Sequence, residues 1–177
     1  MRPVRYNVAA SLDGFIATPD GGYDWIPDDP TVDFGAIFAK VDTILIGRRS
    51  FEAALRSGGA PWAPSMRVYV FSTTLDPAGF PGVTVVREDA ADVVERLRRE
   101  SGEGEIWLFG GGNLFSTLLA AGQVDRLEVT VVPVVLGEGV PLGPGAPRTR
   151  LKLRSTERYP SGMITLVYDC LSATGPA

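Results

Sequence analysis

The segment at residues 105–115 (EIWLFGGGNLF) joins a short apolar run, three glycines and the start of an apolar helical pattern. The run predicts a buried strand that ends at Gly110, and the pattern after it predicts a helix from Asn113. Glycine lets a ligand approach the main chain closely, and a helix that opens there presents unpaired N–H groups to a phosphate or pyrophosphate. A tight turn without a ligand explains this segment alone equally well.

Two other predicted strand ends carry groups that bind anions. Residues 46–52 (IGRRSFE) place a glycine, two arginines and a serine between a strand and a helix, and guanidinium groups bind phosphate in fork geometry. Residues 72–74 (STT) offer hydroxyls after another strand. A basic surface turn with Ser50 as a cap, and a plain turn at Ser72, are the structural alternatives. Because ligands sit beyond the carboxyl ends of parallel strands, the three segments are expected to converge.

Strands alternate with helices along most of the chain. This order predicts an α/β fold: one three-layer domain over residues 1–177, with a mostly parallel twisted sheet and helices on both faces. Asp29 and Pro30 predict the start of a short helix that ends at Lys40. Residues 151–159 and 163–171 alternate apolar and polar side chains and predict a closing antiparallel hairpin. The other predicted strands are residues 4–10, 43–47, 67–72, 83–87 and 126–135, and the other predicted helices are residues 49–56, 89–100 and 113–121.

The composition excludes several classes of protein. The chain has 177 residues and a net charge of −4, which argues against a nucleic-acid or anionic-membrane surface. It has no histidine, so histidine-based catalysis and the usual zinc sites are excluded, and no metal is expected. A single cysteine, Cys170, allows no internal disulfide. With no signal sequence or apolar run of membrane-spanning length, the expected location is the cytoplasm.

An ordered series of phrases resembles the dihydrofolate reductase-like superfamily. The phrases are AASLDGFIA, IGRRSFE, FSTTL, WLFGGGNLF and DRLEVT, and they are followed by PVVLGEG. Within the superfamily, the chain is most similar to the C-terminal reductase domain of the bifunctional riboflavin-biosynthesis deaminase-reductase and to small stand-alone proteins built on that domain. The likeness runs from near residue 4 to near residue 170.

The resemblance implies an NADPH-dependent reductase of dihydrofolate reductase-like fold. A cation at Arg48 or Arg49 would select NADPH over NADH, and Gly110 and Gly111 match a pair that is often joined by a cis peptide in this superfamily. The positions that match cofactor-binding residues are Ala9, Ile16, Gly47, Arg48, Arg49, Ser50, Ser72, Thr73, Gly110, Gly111, Gly112, Asn113 and Leu114.

The resemblance also implies residues around the substrate. Phe115 matches an aromatic beside the nicotinamide, and Thr130 matches a hydroxyl on the floor of the substrate pocket; Trp25 is a candidate pocket residue, with an ordinary core aromatic as the alternative. Asp33 is nearest to the acid that folate reductases carry on the first helix, and a first-turn residue that complements the helix dipole is the alternative. Asp13 is the other candidate proton donor, with a structural or substrate-orienting role as the alternative.

The riboflavin-pathway reductase acts on 5-amino-6-(5-phosphoribosylamino)uracil, and its likeness here implies a pyrimidine- or pterin-like substrate. No deaminase half is expected, since the chain contains no Cys-x-x-Cys motif. Two other functions stay open: a protein that binds NADPH or a small heterocycle without turnover, and a dihydrofolate reductase proper. The relatives form dimers, so a homodimer is expected.

Overall fold

The computed structural model describes residues 1–56, 58, 62–102 and 104–171, so that residues 172–177 of the predicted domain lie outside the described residues. Its helices are α1 (Phe34–Phe38), α2 (Arg48–Arg56), α3 (Ala90–Arg99) and α4 (Gly112–Ala120), with a 3₁₀ turn at Pro77–Gly79. Its strands are β1 (Val4–Ser11), β2 (Phe15–Ala17), β3 (Val41–Gly47), β4 (Arg67–Phe71), β5 (Thr84–Val86), β6 (Glu105–Gly110), β7 (Arg126–Val132), β8 (Val140–Pro141), β9 (Arg150–Arg158) and β10 (Ile164–Leu171). None of the helices in these ranges is long and apolar enough to cross a membrane.

An eight-stranded sheet organises the molecule, in the order β5-β4-β3-β6-β1-β7-β10-β9. The strands from β5 to β7 are parallel to their neighbours, whereas β10 runs antiparallel to both β7 and β9. The predicted parallel sheet with a closing hairpin is therefore confirmed. A small second sheet pairs β2 with β8, neither of which is among the predicted strands.

Alternation along the strands divides the core into two layers. On β3, Ile44 and Ile46 face the cluster that contains side chains of α1 and α2, whereas Leu45 faces the cluster that contains side chains of α3 and α4. Successive side chains of a strand point to opposite faces, so each face of the sheet needs its own helical cover. Helices on both faces, and hence the three-layer fold, are confirmed.

The helix predicted from Asp29 begins later than expected. The Asp29 carboxylate accepts hydrogen bonds from the Thr31 N–H at 3.0 Å and from the Ser161 N–H at 3.1 Å, so it closes a local turn and ties it to the β9–β10 hairpin. Asp33 is the actual N-cap of α1, because its carboxylate accepts from the Ala36 N–H at 2.8 Å. The prediction that Asp29 caps the helix was therefore wrong.

The strand predicted at residues 126–135 also ends earlier, at Val132. Proline follows at position 133. Its ring nitrogen carries no hydrogen and cannot continue the hydrogen-bond ladder, which stops the strand.

Candidate functional site

β3 and β6 are neighbouring parallel strands, and their carboxyl ends lie side by side. A Cβ atom at Gly47 would lie 3.6 Å from the Gly111 nitrogen and 3.7 Å from the Gly110 oxygen, so the two strand ends are in van der Waals contact. Each strand runs directly into a helix, α2 after Gly47 and α4 after Gly111. Two helix N-termini therefore open side by side, as the sequence predicted.

The turn before α4 exposes its main chain. The Gly110–Gly111 peptide is cis, as the resemblance implied. Gly111 is the N-cap and contributes no side-chain hydrogen bond, and the Phe115 N–H makes the first intrahelical bond to the Gly111 oxygen at 3.1 Å. Within the described chain, the N–H groups of residues 112–114 therefore remain available to a ligand.

Neighbouring atoms leave no room for side chains at this turn. A Cβ atom at Gly111 would lie 2.9 Å from the Ser50 Oγ, and one at Gly112 would lie 2.5 Å from the Pro141 oxygen. Real Cβ atoms do not approach other atoms so closely, so something must shift. At Gly112 the crowding atom belongs to the main chain and glycine is required, whereas at Gly111 the Ser50 side chain can rotate away. The result is a bare backbone cradle, with the Ser50 hydroxyl beside it.

The two arginines at the start of α2 differ in their partners. The Arg48 Nε donates to the Glu52 Oε1 at 2.8 Å, and the Arg48 Nη1 donates to the Thr74 Oγ1. Arg49 is exposed and has no hydrogen-bond or ion-pair partner among the residues that the structure describes. Arg49 is therefore the cation that an incoming phosphate can bind without breaking an existing pair.

The hydrogen bond from Arg48 to Thr74 also brings residues 72–74, the third predicted segment, beside the start of α2. The Ser72 Oγ, however, accepts from the N–H groups of Thr74 at 3.2 Å and Leu75 at 3.0 Å. Its hydroxyl closes a local turn, which is the structural alternative for this residue. Neither Ser72 nor Thr73 lies among the residues that line the cleft.

An open cleft of about 2240 Å³ extends from these helix N-termini across the sheet. Of the candidate site residues, those that line it are Ala9, Ile16, Asp33, Gly47, Arg48, Arg49, Ser50, Gly110, Gly111, Gly112, Asn113, Leu114 and Thr130. The candidates that do not line it are Asp13, Trp25, Ser72, Thr73 and Phe115.

Phe115 lies in the core instead of the cleft. It is 2% exposed, and its ring stacks on that of Tyr6 with the centroids 4.3 Å apart. Burial raises the pKa of the Tyr6 phenol well above its ordinary value. Phe115 therefore lies outside the cleft, and the position beside the nicotinamide that the resemblance implied for it stays a prediction. Trp25 is likewise outside the cleft, with its Nε1 donating to the Gly22 oxygen at 3.3 Å.

The two candidate acids have different surroundings. Asp13 accepts from the Ser11 hydroxyl at 2.6 Å and from the N–H groups of Gly137 at 2.7 Å and Leu136 at 3.1 Å. These bonds, the Ser11 bond foremost, lower the pKa of Asp13 to about 2. These bonds and its place outside the cleft support the structural alternative for Asp13. Asp33 caps α1 and also borders the cleft, so its role at the start of the helix is structural and its role as a proton donor stays a prediction.

Polar side chains on one face of the sheet form the remaining floor of the cleft, and the sequence analysis missed most of them. Asn7 is paired in register with Glu128, and Ala9 with Thr130. Both pairs line the cleft. The signal was present in the alternation along the two strands, because residues two apart share a face.

Residues 2–165 match the family model of the RibD C-terminal domain. The chain belongs to this family. The RibD C-terminal domain is the reductase-like branch that the sequence resembles, so that resemblance is confirmed.

Individual relatives agree with this family. Uncharacterized protein YyaP of Bacillus subtilis (strain 168) is 33% identical over 179 residues, which cover 94% of this chain and 94% of YyaP. Riboflavin biosynthesis protein RibD of Corynebacterium ammoniagenes is 29% identical over 150 residues, or 77% of this chain and 44% of that protein. A crystal structure of a protein from Shewanella sp. PV-4, named for riboflavin biosynthesis, superposes with a TM-score of 0.82 at 27% identity and covers 97% of this chain and 100% of its own.

Proposed function

We propose that this protein is an NADPH-dependent reductase that transfers a hydride to a pyrimidine- or pterin-like substrate, as 5-amino-6-(5-phosphoribosylamino)uracil reductase does. One observation carries the proposal: two helix N-termini and the unpaired Arg49 converge on the bare Gly110–Gly112 cradle. Helix N-termini and guanidinium groups are the usual protein ligands of phosphate and pyrophosphate. Membership in the RibD C-terminal domain family adds the reductase class.

The groups present fit NADPH in charge and in shape. The N–H groups of residues 112–114 suit the pyrophosphate, and Arg49 suits the 2′-phosphate that distinguishes NADPH from NADH. The cleft of about 2240 Å³ is larger than the 300–1,000 Å³ of an ordinary small-molecule pocket. It therefore has room for a dinucleotide and a second ring together.

The central strands β1 and β6 separate toward their carboxyl ends, and the gap between them offers a place for the nicotinamide ring. β1 pairs with β6 only from Val4 to Tyr6, whereas its pairing with β7 continues to Ser11. Beyond Tyr6, the edge of β1 that faces β6 has no strand partner, and Ala9 and Ile16 border the cleft there. Their main-chain groups can hold the carboxamide, so that they orient the ring.

The bound cofactor supplies the hydride from C4 of its nicotinamide. The residues of this chain align the ring, exclude water from the cleft and deliver a proton. We propose Asp33 as the proton donor, because it is the candidate acid that borders the cleft. One oxygen of its carboxylate caps α1, and the other has no bond within the described chain.

A binding protein without turnover is the second candidate. It is favoured by the position of Asp13, whose carboxylate binds the Leu136 and Gly137 N–H groups and does not line the cleft, so that only one of the two candidate acids borders the site. NADPH oxidation in the presence of any pterin or pyrimidine would exclude this alternative.

The deciding experiment is a fluorescence titration of the purified protein with NADPH and with NADH. The proposal predicts micromolar NADPH binding and much weaker NADH binding. Absence of binding by either dinucleotide would remove the basis of the reductase proposal and leave only the shared fold.

A homodimer belongs to the same proposal. Within the described residues, β9 is an outer strand of the sheet with β10 as its single partner, and it carries Leu151 at 40% and Leu153 at 52% exposure. An open edge with exposed apolar side chains favours association. Light scattering on the wild type and on Leu153→Lys tests this: the wild type should have the mass of a dimer and the variant that of a monomer.

A further inference from the structure

The gap between β1 and β6 begins where β6 carries an extra residue. Where β3 advances by one residue, its partner on β6 changes from Leu108 to Gly110, which leaves Phe109 as an additional residue of β6. An extra residue of this kind bends its strand and interrupts regular pairing. The ladder between β1 and β6 accordingly ends at the pair of Tyr6 and Leu108.

The separation of the strands frees main-chain groups of β1 that point toward β6. The Pro3 oxygen accepts from the Ile106 N–H at 2.9 Å, so the main chain of Pro3 faces β6. Alternate residues of a strand direct their main-chain groups to the same neighbour, and therefore those of Asn7 and Ala9 also face β6. Both residues lie beyond the last pair of that ladder.

The indole of Trp107 binds the first of these two residues. Its Nε1 donates to the Asn7 oxygen at 3.3 Å. Trp107 itself is on β6, in register with Arg5 of β1. Its side chain thus bridges the two strands where they begin to separate, and it satisfies a carbonyl that the end of the ladder would otherwise leave without a donor.

The packing around Trp107 fixes the direction of this bond. The Phe38 and Phe109 rings lie 5.0 and 5.1 Å from the indole, centroid to centroid, and both are tilted against it. The Arg5 guanidinium carbon lies 6.0 Å from the indole centroid. Aromatic and cation contacts at such distances are attractive, and Trp107 is only 6% exposed. The indole N–H is therefore held toward the Asn7 oxygen.

The segment from Asn7 to Ala9 is consequently held along both of its edges. On one side it is paired with β7, with Asn7 opposite Glu128 and Ala9 opposite Thr130. On the other side the Trp107 indole holds it at Asn7. The segment lines the cleft, and its main chain at Ala9 faces the gap.

We propose that Trp107 is a positioning residue for the nicotinamide ring of the cofactor. By its bond to the Asn7 oxygen, it fixes the main chain at Ala9 relative to β6, and this main chain in turn orients the carboxamide of the ring. The inference rests on the proposed function, because it takes the gap as the nicotinamide site. It assigns Trp107 to the nicotinamide half of the cofactor alone, since the proposed function places the phosphates at Arg49 and at residues 112–114.

The test compares NADPH with 2′-phospho-ADP-ribose, which has the same phosphates but no nicotinamide. Calorimetric titration gives the affinity of the wild type and of Trp107→Phe for each ligand. Hydrogen bonds to the carboxamide predict that the wild type prefers NADPH by about tenfold. Trp107→Phe keeps an aromatic ring and removes the N–H, so it should lose most of this preference at unchanged affinity for 2′-phospho-ADP-ribose.

Two control variants separate this role from packing and from phosphate binding. Trp62→Phe makes the same change in the same apolar cluster, and Trp62 does not line the cleft, so the preference for NADPH should stay. Arg49→Ala should show the opposite pattern to Trp107→Phe. It should weaken both ligands equally and keep the preference, because both carry the 2′-phosphate.

Each result has a definite consequence. A preference for NADPH that survives in Trp107→Phe would overturn the inference. Loss of both ligands in Trp107→Phe would assign the residue to the stability of the fold and overturn it as well. A wild type that binds both ligands equally would keep the phosphate site and reject the nicotinamide gap, whereas a wild type that binds neither would reject the proposed function itself.

Discussion

Asp13 accepts a hydrogen bond from the Gly137 N–H at 2.7 Å, and this bond joins positions 124 apart in the chain. Its other oxygen accepts from the Leu136 N–H at 3.1 Å and from the Ser11 hydroxyl. Two of the phrases that carry the resemblance, AASLDGFIA and PVVLGEG, therefore bind each other. The carboxylate holds the loop beside β2 and β8, and Ile16 and Val140 of those two strands border the cleft.

The first prediction concerns the pH dependence of this bond. The pKa of Asp13 in the folded protein is about 2, below its ordinary value of 3.8, so the bond contributes fully above about pH 4 and is lost as the pH falls through about 2. In an NMR titration, the Gly137 and Leu136 amide resonances should shift with a midpoint near pH 2. A midpoint near the ordinary value would show that the carboxylate is not bonded in solution.

The second prediction concerns the contact between Ser50 and Gly111. Gly111→Ala places a Cβ atom 2.9 Å from the Ser50 Oγ, so the Ser50 hydroxyl must leave its place beside the cradle or the cradle must shift, and either change should weaken NADPH binding by about tenfold. Ser50 contributes the single atom within 4 Å of that Cβ position. The double variant Ser50→Ala/Gly111→Ala should therefore recover much of the affinity. If the double variant binds no better than Gly111→Ala, the Ser50 contact is not the cause.

The third prediction separates Arg49 from the other arginines. Arg49→Ala should lower the affinity for NADPH by about tenfold and leave that for NADH unchanged, because a charge-assisted bond to the 2′-phosphate is lost. Arg99→Ala is the control, since Arg99 is exposed on α3 away from the cleft. An equal loss for both dinucleotides would instead place Arg49 at the pyrophosphate.

The sequence predicted the parts of the site that depend on local geometry. Glycines between a strand and a helix mark a helix N-terminus wherever they occur, so the Gly110–Gly112 cradle and the turn at Gly47 were predicted correctly in position. The sequence did not predict the parts of the site that depend on packing. Phe115 follows the cradle directly, yet the helical turn carries its ring to the Tyr6 side of the sheet, away from the cleft.

The surroundings of Asp29 and Glu128 also depend on contacts between residues distant in the chain, which the sequence does not show. Asp29 has the pattern of a helix cap, but a hydrogen bond from Ser161, distant in the chain, fixes it in a turn. Glu128 looks like an ordinary solvated acid within a strand. The sheet places it in the cleft lining, where Arg5 and Asn7 of the neighbouring strand hold one of its oxygens.

The fourth prediction tests Asp33 as the proton donor. Asn caps a helix about as well as Asp does, so Asp33→Asn should keep α1 and the stability of the fold while it removes the acidic proton. Its turnover of a pyrimidine or pterin that the wild type reduces should fall by about 10²–10⁴-fold, the usual contribution of a general acid, at unchanged NADPH affinity. Stopped-flow measurement of NADPH oxidation gives the rate, and thermal unfolding confirms the fold. Asp33→Ala is the complementary control, because it removes both the proton and the cap and should also lower the unfolding temperature. Turnover by Asp33→Asn at the wild-type rate would restrict Asp33 to capping α1 and require another proton source, such as water admitted to the cleft.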